Sequence, residues 1–301
     1  MTQLKLGSYV GSCKTSASGT RNMVLTGVTT HCHVPRWADP ISLKTACYGQ
    51  VEWRLGGRRY LIQPDTLLLL PDGDEYALTI DSKRPSRGFN VMFRRGLVEE
   101  CWRSAVSKPE RLLDAPYEVE PLQFRRRLES TDGALGQGLE TLARAMAANV
   151  SADTMDWLFE SLGAKVAECI CEQRRERGRL NAIRPETRHE IHRRLELARE
   201  AVEDDLAAAW QLVTMARAAM MAPHHFHRSF RRTYGETPRA WLSRRRMERA
   251  LALLRSTKRS ITDICFAVGY SSTTSFSTAF VARFGVQPSR AAGLHRALEP
   301  W

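Results

Sequence analysis

The 301-residue chain is predicted to be an α+β protein: a β-rich N-terminal domain with closing helices, then an all-α C-terminal domain built from two helix-turn-helix units. Three observations carry that expectation. Apolar residues alternate with a period of two as far as Phe93, and from about Gly96 they recur at nearly every fourth position. A short helix, a tight turn and a second helix then occur twice near the C-terminus. A chain of this length exceeds what a single core usually serves, so two domains are expected.

In the N-terminal part, Val51-Glu52-Trp53-Arg54-Leu55 alternates apolar and polar residues, Gly56-Gly57 turns the chain, and Tyr60 and Ile62 resume the alternation, as in a hairpin. Gln63-Pro64-Asp65 and Pro71-Asp72-Gly73-Asp74 bracket a buried strand over 67–70. Short strands at this spacing suit a small sandwich or barrel. Residues 154–171 place Met155, Leu158, Phe159, Leu162, Val166 and Ile170 on one helical stripe, with Ser151 or Asp153 as its cap. That helix either closes the β domain or pairs with its twin in a homodimer. The stretch 173–186 is polar and Arg-rich around Gly178 and ends at Pro185, the composition of a linker. The expected division is therefore 1–172, linker 173–186, and 187–294.

The C-terminal part reads as helix throughout. Ile191, Leu195, Ala198 and Val202 recur at helical spacing, as do Trp241, Leu242, Met247, Leu251 and Leu254 after the start signal Thr237-Pro238. The repeated units span about 210–234 and 261–284, and their Phe226/Phe230 and Phe276/Phe280 pairs pack the second helix of each inward. In the later unit Ile261, Ile264, Cys265 and Val268 form a packing face, Gly269 permits positive φ in the turn, and Ser271-Ser272 caps the second helix. In the earlier one Leu212, Met215 and Ala216 pack, and Ala222-Pro223 opens the second helix.

Charge is concentrated in the same region. The net charge is +12, and residues 222–290 hold thirteen Arg or Lys against three Asp or Glu, a balance of +10. Such a segment is either a solvated helix face or a surface for a polyanion, most simply a phosphate backbone. Seven scattered cysteines without a CxxC pair indicate buried free thiols rather than disulfides or a zinc knuckle. No run of about 18 apolar residues and no signal-peptide core occur, so a membrane span is not expected and the cytoplasm is the expected location.

With those residues in view, the C-terminal segment resembles the DNA-binding domain of the AraC/XylS family of bacterial transcription regulators. The resemblance rests on Pro238-Arg-Ala-Trp241-Leu242, Arg246-Met247-Glu-Arg-Ala250 and Leu253-Leu254. It continues through Ile261-Thr-Asp-Ile264-Cys-Phe-Ala-Val268-Gly269-Tyr270, then Phe276, Phe280 and Phe284-Gly285-Val-Gln-Pro288-Ser289. It implies two recognition helices entering successive major grooves about one helical turn, roughly 34 Å, apart. Carried over by position, base contacts fall to His224, His227 and Arg228 in the first helix and to Thr273, Thr274, Ser277 and Thr278 in the second. Arg228 is suited to bidentate pairing with guanine. Arg231, Arg232, Arg244 and Arg245 are read as phosphate binders or solvated charge. The chain departs from the family pattern at Met220, where the first turn usually has glycine, at Ala222 in place of a serine cap, and at Thr278 in place of arginine. These departures place specificity mainly in the first unit.

The N-terminal half resembles, through Pro64-Asp65-Thr66 to Asp74-Glu75-Tyr76, the cupin-like sensory domain common in that family. This implies a small-molecule effector, with Trp37, Tyr48, Trp53 and Tyr60 as either pocket lining or core. The expected protein is a promoter-DNA-binding transcription regulator, an activator by family habit, that works with RNA polymerase and needs no cofactor. Two rival readings compete with it. His31-Cys32-His33 puts two imidazoles on one side of a strand, as in metal-binding cupin enzymes, but no carboxylate or later histidine completes the set. Methyl-transferring DNA repair proteins share the DNA-binding domain, but their metal-held cysteine cluster is missing. No metal site and no catalysis are expected.

Overall fold

Burial along the strands shows how the N-terminal sheet uses both of its faces. In the computed structural model, which describes residues 4–5, 19–106, 122, 124–180, 185–257 and 259–293, the strand β6 (Thr66–Leu70) is buried at every position. Leu67 and Leu69 enter one apolar core while Leu68 and Leu70 enter a second on the opposite face. Cys13 and Leu294 lie outside the described residues.

The strands among the described residues are β1 (Leu4–Lys5), β2 (Met23–Ala38), β3 (Ser42–Tyr48), β4 (Val51–Leu55), β5 (Arg58–Ile62), β6, β7 (Glu75–Met92) and β8 (Arg127–Ser130). They hydrogen-bond in the order β1-β2-β7-β3-β6-β8, with β4 joining β7 to β5. All pairings are antiparallel except β1 with β2. The long strands β2 and β7 pair along most of their length, with register shifts between Thr29 and His31 and between Val34 and Trp37. Such irregularities bend and twist a ladder. β7 also pairs β4 near its start and β3 near its end, so the sheet curls into a half-barrel. The predicted hairpin is β4–β5, turning at Gly56 and Gly57 with both φ positive.

Inside the curl, Val51, Trp53, Leu55, Tyr60, Ile62, Leu78 and Ile80 form the core. Helices α1 (Leu97–Val106), α2 (Ala134–Ala147) and α3 (Ala152–Gly178) cover the other face, where Met155, Leu158, Phe159, Leu162, Val166 and Ile170 meet Leu43, Phe89 and Phe93. This is the predicted stripe, and Ser151 Oγ caps it by accepting from the Thr154 amide at 3.3 Å. Sequence periodicity missed β8, a short strand after Arg125-Arg126 within the region expected to be helical. Four residues are too few to establish a period of two, and the strand exists because it pairs the edge of β6. α3 also continues to Gly178, so the first part of the expected linker is helical. The six described cysteines are free thiols, but only Cys265 is fully buried and the others are half-buried.

The chain divides into two compact units, the first ending at Cys171 and the second beginning at Glu172. The second contains α4 (Pro185–Asp204), α5 (Leu212–Ala218), α6 (Pro223–Tyr234), α7 (Pro238–Ser256), α8 (Ile261–Ala267), α9 (Thr273–Phe284) and α10 (Pro288–Gly293). Its described residues form two small cores. Leu195, Ala198, Val202, Met215, Ala216, Phe226, Phe230 and Trp241 form one, while Met247, Leu254, Ile264, Cys265, Val268, Phe276 and Phe280 belong to the other. α7 therefore contributes its first half to one core and its second half to the other. Leu212, expected to pack, lies 37% exposed at the first position of α5.

The two helix-turn-helix turns share one backbone design. Met220 N donates to Arg217 O and Met221 N to Ala216 O; in the second unit Gly269 N donates to Phe266 O and Tyr270 N to Cys265 O. Both turn residues are left-handed, φ 53° at Met220 and 83° at Gly269. A side chain there is strained, and Met220 bears that strain with its side chain exposed. Met220→Gly is expected to stabilise the second unit by about 0.5–1 kcal/mol, strain relief exceeding the entropy cost. Gly269→Ala puts a Cβ 2.8 Å from Ala207 O and is expected to cost about 2 kcal/mol or more. Urea denaturation followed by helical circular dichroism checks both signs.

Candidate nucleic-acid interface

Helices α6 and α9 are amphipathic, and in each the phenylalanines face inward. Phe226, Ser229, Phe230 and Thr233 are buried on α6, as are Phe276 and Phe280 on α9. Their ends differ in quality. Ser272 caps α9 by accepting from the Ser275 amide at 3.2 Å, whereas Ala222 offers α6 no side-chain cap and Pro223 starts the helix instead. Both helices close on a left-handed glycine, Gly235 and Gly285.

The outward faces carry the residues read from the sequence. On α6, His224, Arg228, Arg231 and Arg232 are exposed and His227 is half-buried. On α9, Thr273, Thr274 and Thr278 are exposed and Ser277 is half-buried. His225 joins the α6 face and was overlooked; its one-residue offset from His224 was the available signal. Arg228 and Arg231 make no hydrogen bond or ion pair with any described residue. Arg232 is different: its Nε donates to Arg179 O at 2.5 Å, and Arg179 Nη1 donates to Thr233 O at 3.2 Å, tying the end of α6 to the segment before α4. Thr278 Oγ1 bonds back to Thr274 O at 3.0 Å.

Arg244 and Arg245 correct the sequence reading. Neither is solvated charge: half-buried Arg244 and buried Arg245 are members of an ion-pair network. Arg245, 3% exposed, donates to Glu203 at 2.5 and 3.0 Å and to Glu248 at 2.5 Å. Arg244 bonds Glu236 at 2.8 Å and Glu248 at 2.9 Å. Arg283 of α9 approaches Glu248 at 3.6 Å. Arg246 completes the row by donating to three carbonyls: Leu206 at 2.9 Å, Ala208 at 2.7 Å and Gly269 at 3.1 Å. The first two lie just before α5 and the third is in the turn before α9, so one guanidinium holds both helix-turn-helix units to α7. The spacing of Arg244 and Arg245 to Glu248, four and three residues, was the sequence signal for an internal role.

Electrostatics follow from that burial. Desolvation pushes the Glu203 and Glu248 carboxyls up, but the neighbouring guanidiniums, Arg245 foremost, outweigh it and hold both below the usual glutamate range. Burial lowers the Arg246 pKa.

In the first unit, Trp37, Trp53 and Tyr60 share one core inside the curled sheet, whereas Tyr48 lies apart from it. Asp39 is the polar centre there. It accepts from buried Lys44, from Tyr76 Oη at 2.6 Å and from Trp37 Nε1 at 2.7 Å, while Lys44 Nζ lies 5.3 Å from the Trp53 ring and 5.0 Å from Tyr76. Sequence reading named neither Asp39 nor Lys44. His31 and His33 are exposed; His31 Nε2 meets Asp81 at 3.1 Å and His33 Nδ1 meets Thr79 at 3.2 Å.

A curled sheet joined in one chain to two helix-turn-helix units on a shared helix defines the class of two-domain regulators with a sensory half and a DNA-directed half. Residues 215–292 match the family model described as a helix-turn-helix domain, and residues 26–156 match that of the AraC-like ligand binding domain. The chain belongs to the AraC/XylS family of transcription regulators.

The virulence regulon transcriptional activator VirF of Yersinia enterocolitica is 38% identical over 104 residues, 35% of this chain and 38% of that protein. The HTH-type transcriptional regulator ExsA of Pseudomonas aeruginosa is 40% identical over 81 residues, 27% and 29% of the two chains. The match thus spans well under half the length of these curated relatives. A crystal structure of ToxT from Vibrio cholerae aligns with 92% of this chain and 99% of its own at 13% identity, with a TM-score of 0.35. Among the described residues no helix is long and apolar enough to cross a membrane.

Because the Glu248 carboxyl titrates below an unfolded glutamate, its contribution is complete above the ordinary glutamate range and is lost as the pH falls through the folded value. Glu248→Gln removes one of the buried carboxylates paired with Arg245 while Glu203 stays, and is expected to cost about 3 kcal/mol at neutral pH, the low end for a broken buried pair. The deficit should shrink in acid, where the wild-type carboxyl is itself neutral. Urea midpoints at neutral and acid pH measure both.

Proposed function

We propose that the protein is a sequence-specific DNA-binding transcription regulator that sets α6 and α9 into successive major-groove segments of a promoter. The observation that supports this most is the division of labour among arginines. Arg244, Arg245 and Arg246 are used up inside the fold, whereas Arg228 and Arg231 stand exposed beside His224 and His225 with no described partner. Unpaired guanidiniums on an exposed helix suit phosphates and guanine edges. His224, His227 and Arg228 read bases in this proposal, and so do Thr273, Thr274, Ser277 and Thr278. Arg231 and Arg232 face phosphates. The hydroxyl-bearing face of α9 makes the shorter-reaching contacts, so discrimination rests mainly on α6.

The reading extends to activation through RNA polymerase, which accords with the activator VirF among the relatives. It also places a small effector in the curled sheet near Trp37, Trp53 and Tyr60. Effector binding shifts the balance between two arrangements of the protein by its different affinity for each. The proposed domain roles are sensing and dimerisation for 1–172 and DNA binding for 187–294.

Binding to promoter-length duplex should weaken steeply with salt and favour specific over random sequence. Arg228→Ala should lower discrimination by about 5- to 150-fold, the equivalent of 1–3 kcal/mol at one base pair. Arg231→Ala should weaken all duplexes alike and reduce the salt slope by about one. Uniform losses in both variants would overturn the assignment of α6.

A further inference from the structure

The second unit holds a buried cluster that DNA binding does not use. Glu176 near the end of α3 and His192 and Glu196 on α4 each direct a ligand-capable atom to one point, all within 4.8 Å of one another. His192 and Glu196 are four apart, hence on the same face of their helix. The burial is deep: His192 is 3% and Glu176 4% exposed. Their contact is loose for a hydrogen bond, with His192 Nε2 at 3.5 Å from Glu176 Oε2. His192 Nδ1, also buried, has no hydrogen-bond partner. Nε2, the nitrogen that faces the carboxylates, has only that marginal contact, and a buried polar nitrogen so weakly engaged is costly unless something further meets it. Two carboxylates and an imidazole are donors that zinc-like ions accept, and 3.5 Å is close to the edge of a tetrahedron whose bonds are about 2.0–2.2 Å.

We propose that Glu176, His192 and Glu196 form a binding site for a divalent first-row transition ion of the zinc type. Mixed nitrogen and oxygen donors favour such an ion over calcium or magnesium, which prefer oxygen alone. Glu196 brings its carboxylate within 4.8 Å of the other two ligand atoms and closes in on the ion when it binds. That carboxylate also accepts from Tyr234 Oη at 2.6 Å and from Arg199 at 3.0 Å. Tyr234 is the last residue of α6, so occupancy bears on the anchored end of the proposed recognition helix.

Exposed His224 and His225 and half-buried His227 on α6 are a competing zinc surface, so the test removes all three. Zinc is titrated into the metal-free full chain by calorimetry, in the wild type, in a variant with all three changed to alanine, and in His192→Asn and Glu196→Gln, with thermal melts in parallel. The wild type and the surface-histidine variant are expected to retain one tight buried ion that raises the melting temperature. Loss of a ligand should weaken it by about a hundredfold or more, beyond what removal of an outer partner does. If His192→Asn does not fold, Glu196→Gln decides. Wild type without a tight ion, zinc lost with the surface histidines, or tight binding retained in Glu196→Gln or a folded His192→Asn would overturn the proposal.

Discussion

The arrangement of the C-terminal unit depends on one row of arginines along α7. Two cores as small as those around Phe230 and Phe280 do not by themselves fix how two helix-turn-helix units stand relative to each other. Arg246 does so by donating to carbonyls of both units, and Arg245 by joining α4 to α7 through Glu203. Each contact is a charge-assisted hydrogen bond removed from bulk water, where such bonds are stronger and misplacement is costlier. Specificity of geometry is thereby built from charge, while apolar burial supplies the gross stability.

The same use of charge recurs in the first unit. A five-residue strand, β6, is buried on both faces because helices cover one and the curl encloses the other. Within the curl a buried charged pair, Lys44 with Asp39, is enclosed by Trp37, Trp53 and Tyr76. A buried pair of this kind is rarely a gain in stability over apolar residues, and it is best understood as orienting the ring system around it.

Much of this was legible in the sequence because it depends on local spacing. The hairpin at Gly56-Gly57, the stripe from Met155 to Ile170, the caps at Thr237 and Ser272 and the inward phenylalanine pairs are all short-range patterns. What was illegible depends on partners far along the chain. Strand β8 exists only because β6 leaves an edge to pair. Arg244 and Arg245 look like any basic run until Glu203 and Glu236 are brought beside them, and Lys44 looks like an exposed strand residue until Asp39 folds over it. For the interface, helix spacing revealed which side chains point outward; which arginines remain uncommitted became visible only in three dimensions.

The central claim is that α7 presents α6 and α9 together to one face of a duplex. Hydroxyl-radical footprinting of the full chain on its promoter measures this most directly. The account predicts two protected segments centred about one helical turn, roughly 10–10.5 base pairs, apart on the same face. A single segment, or two on opposite faces, would contradict it.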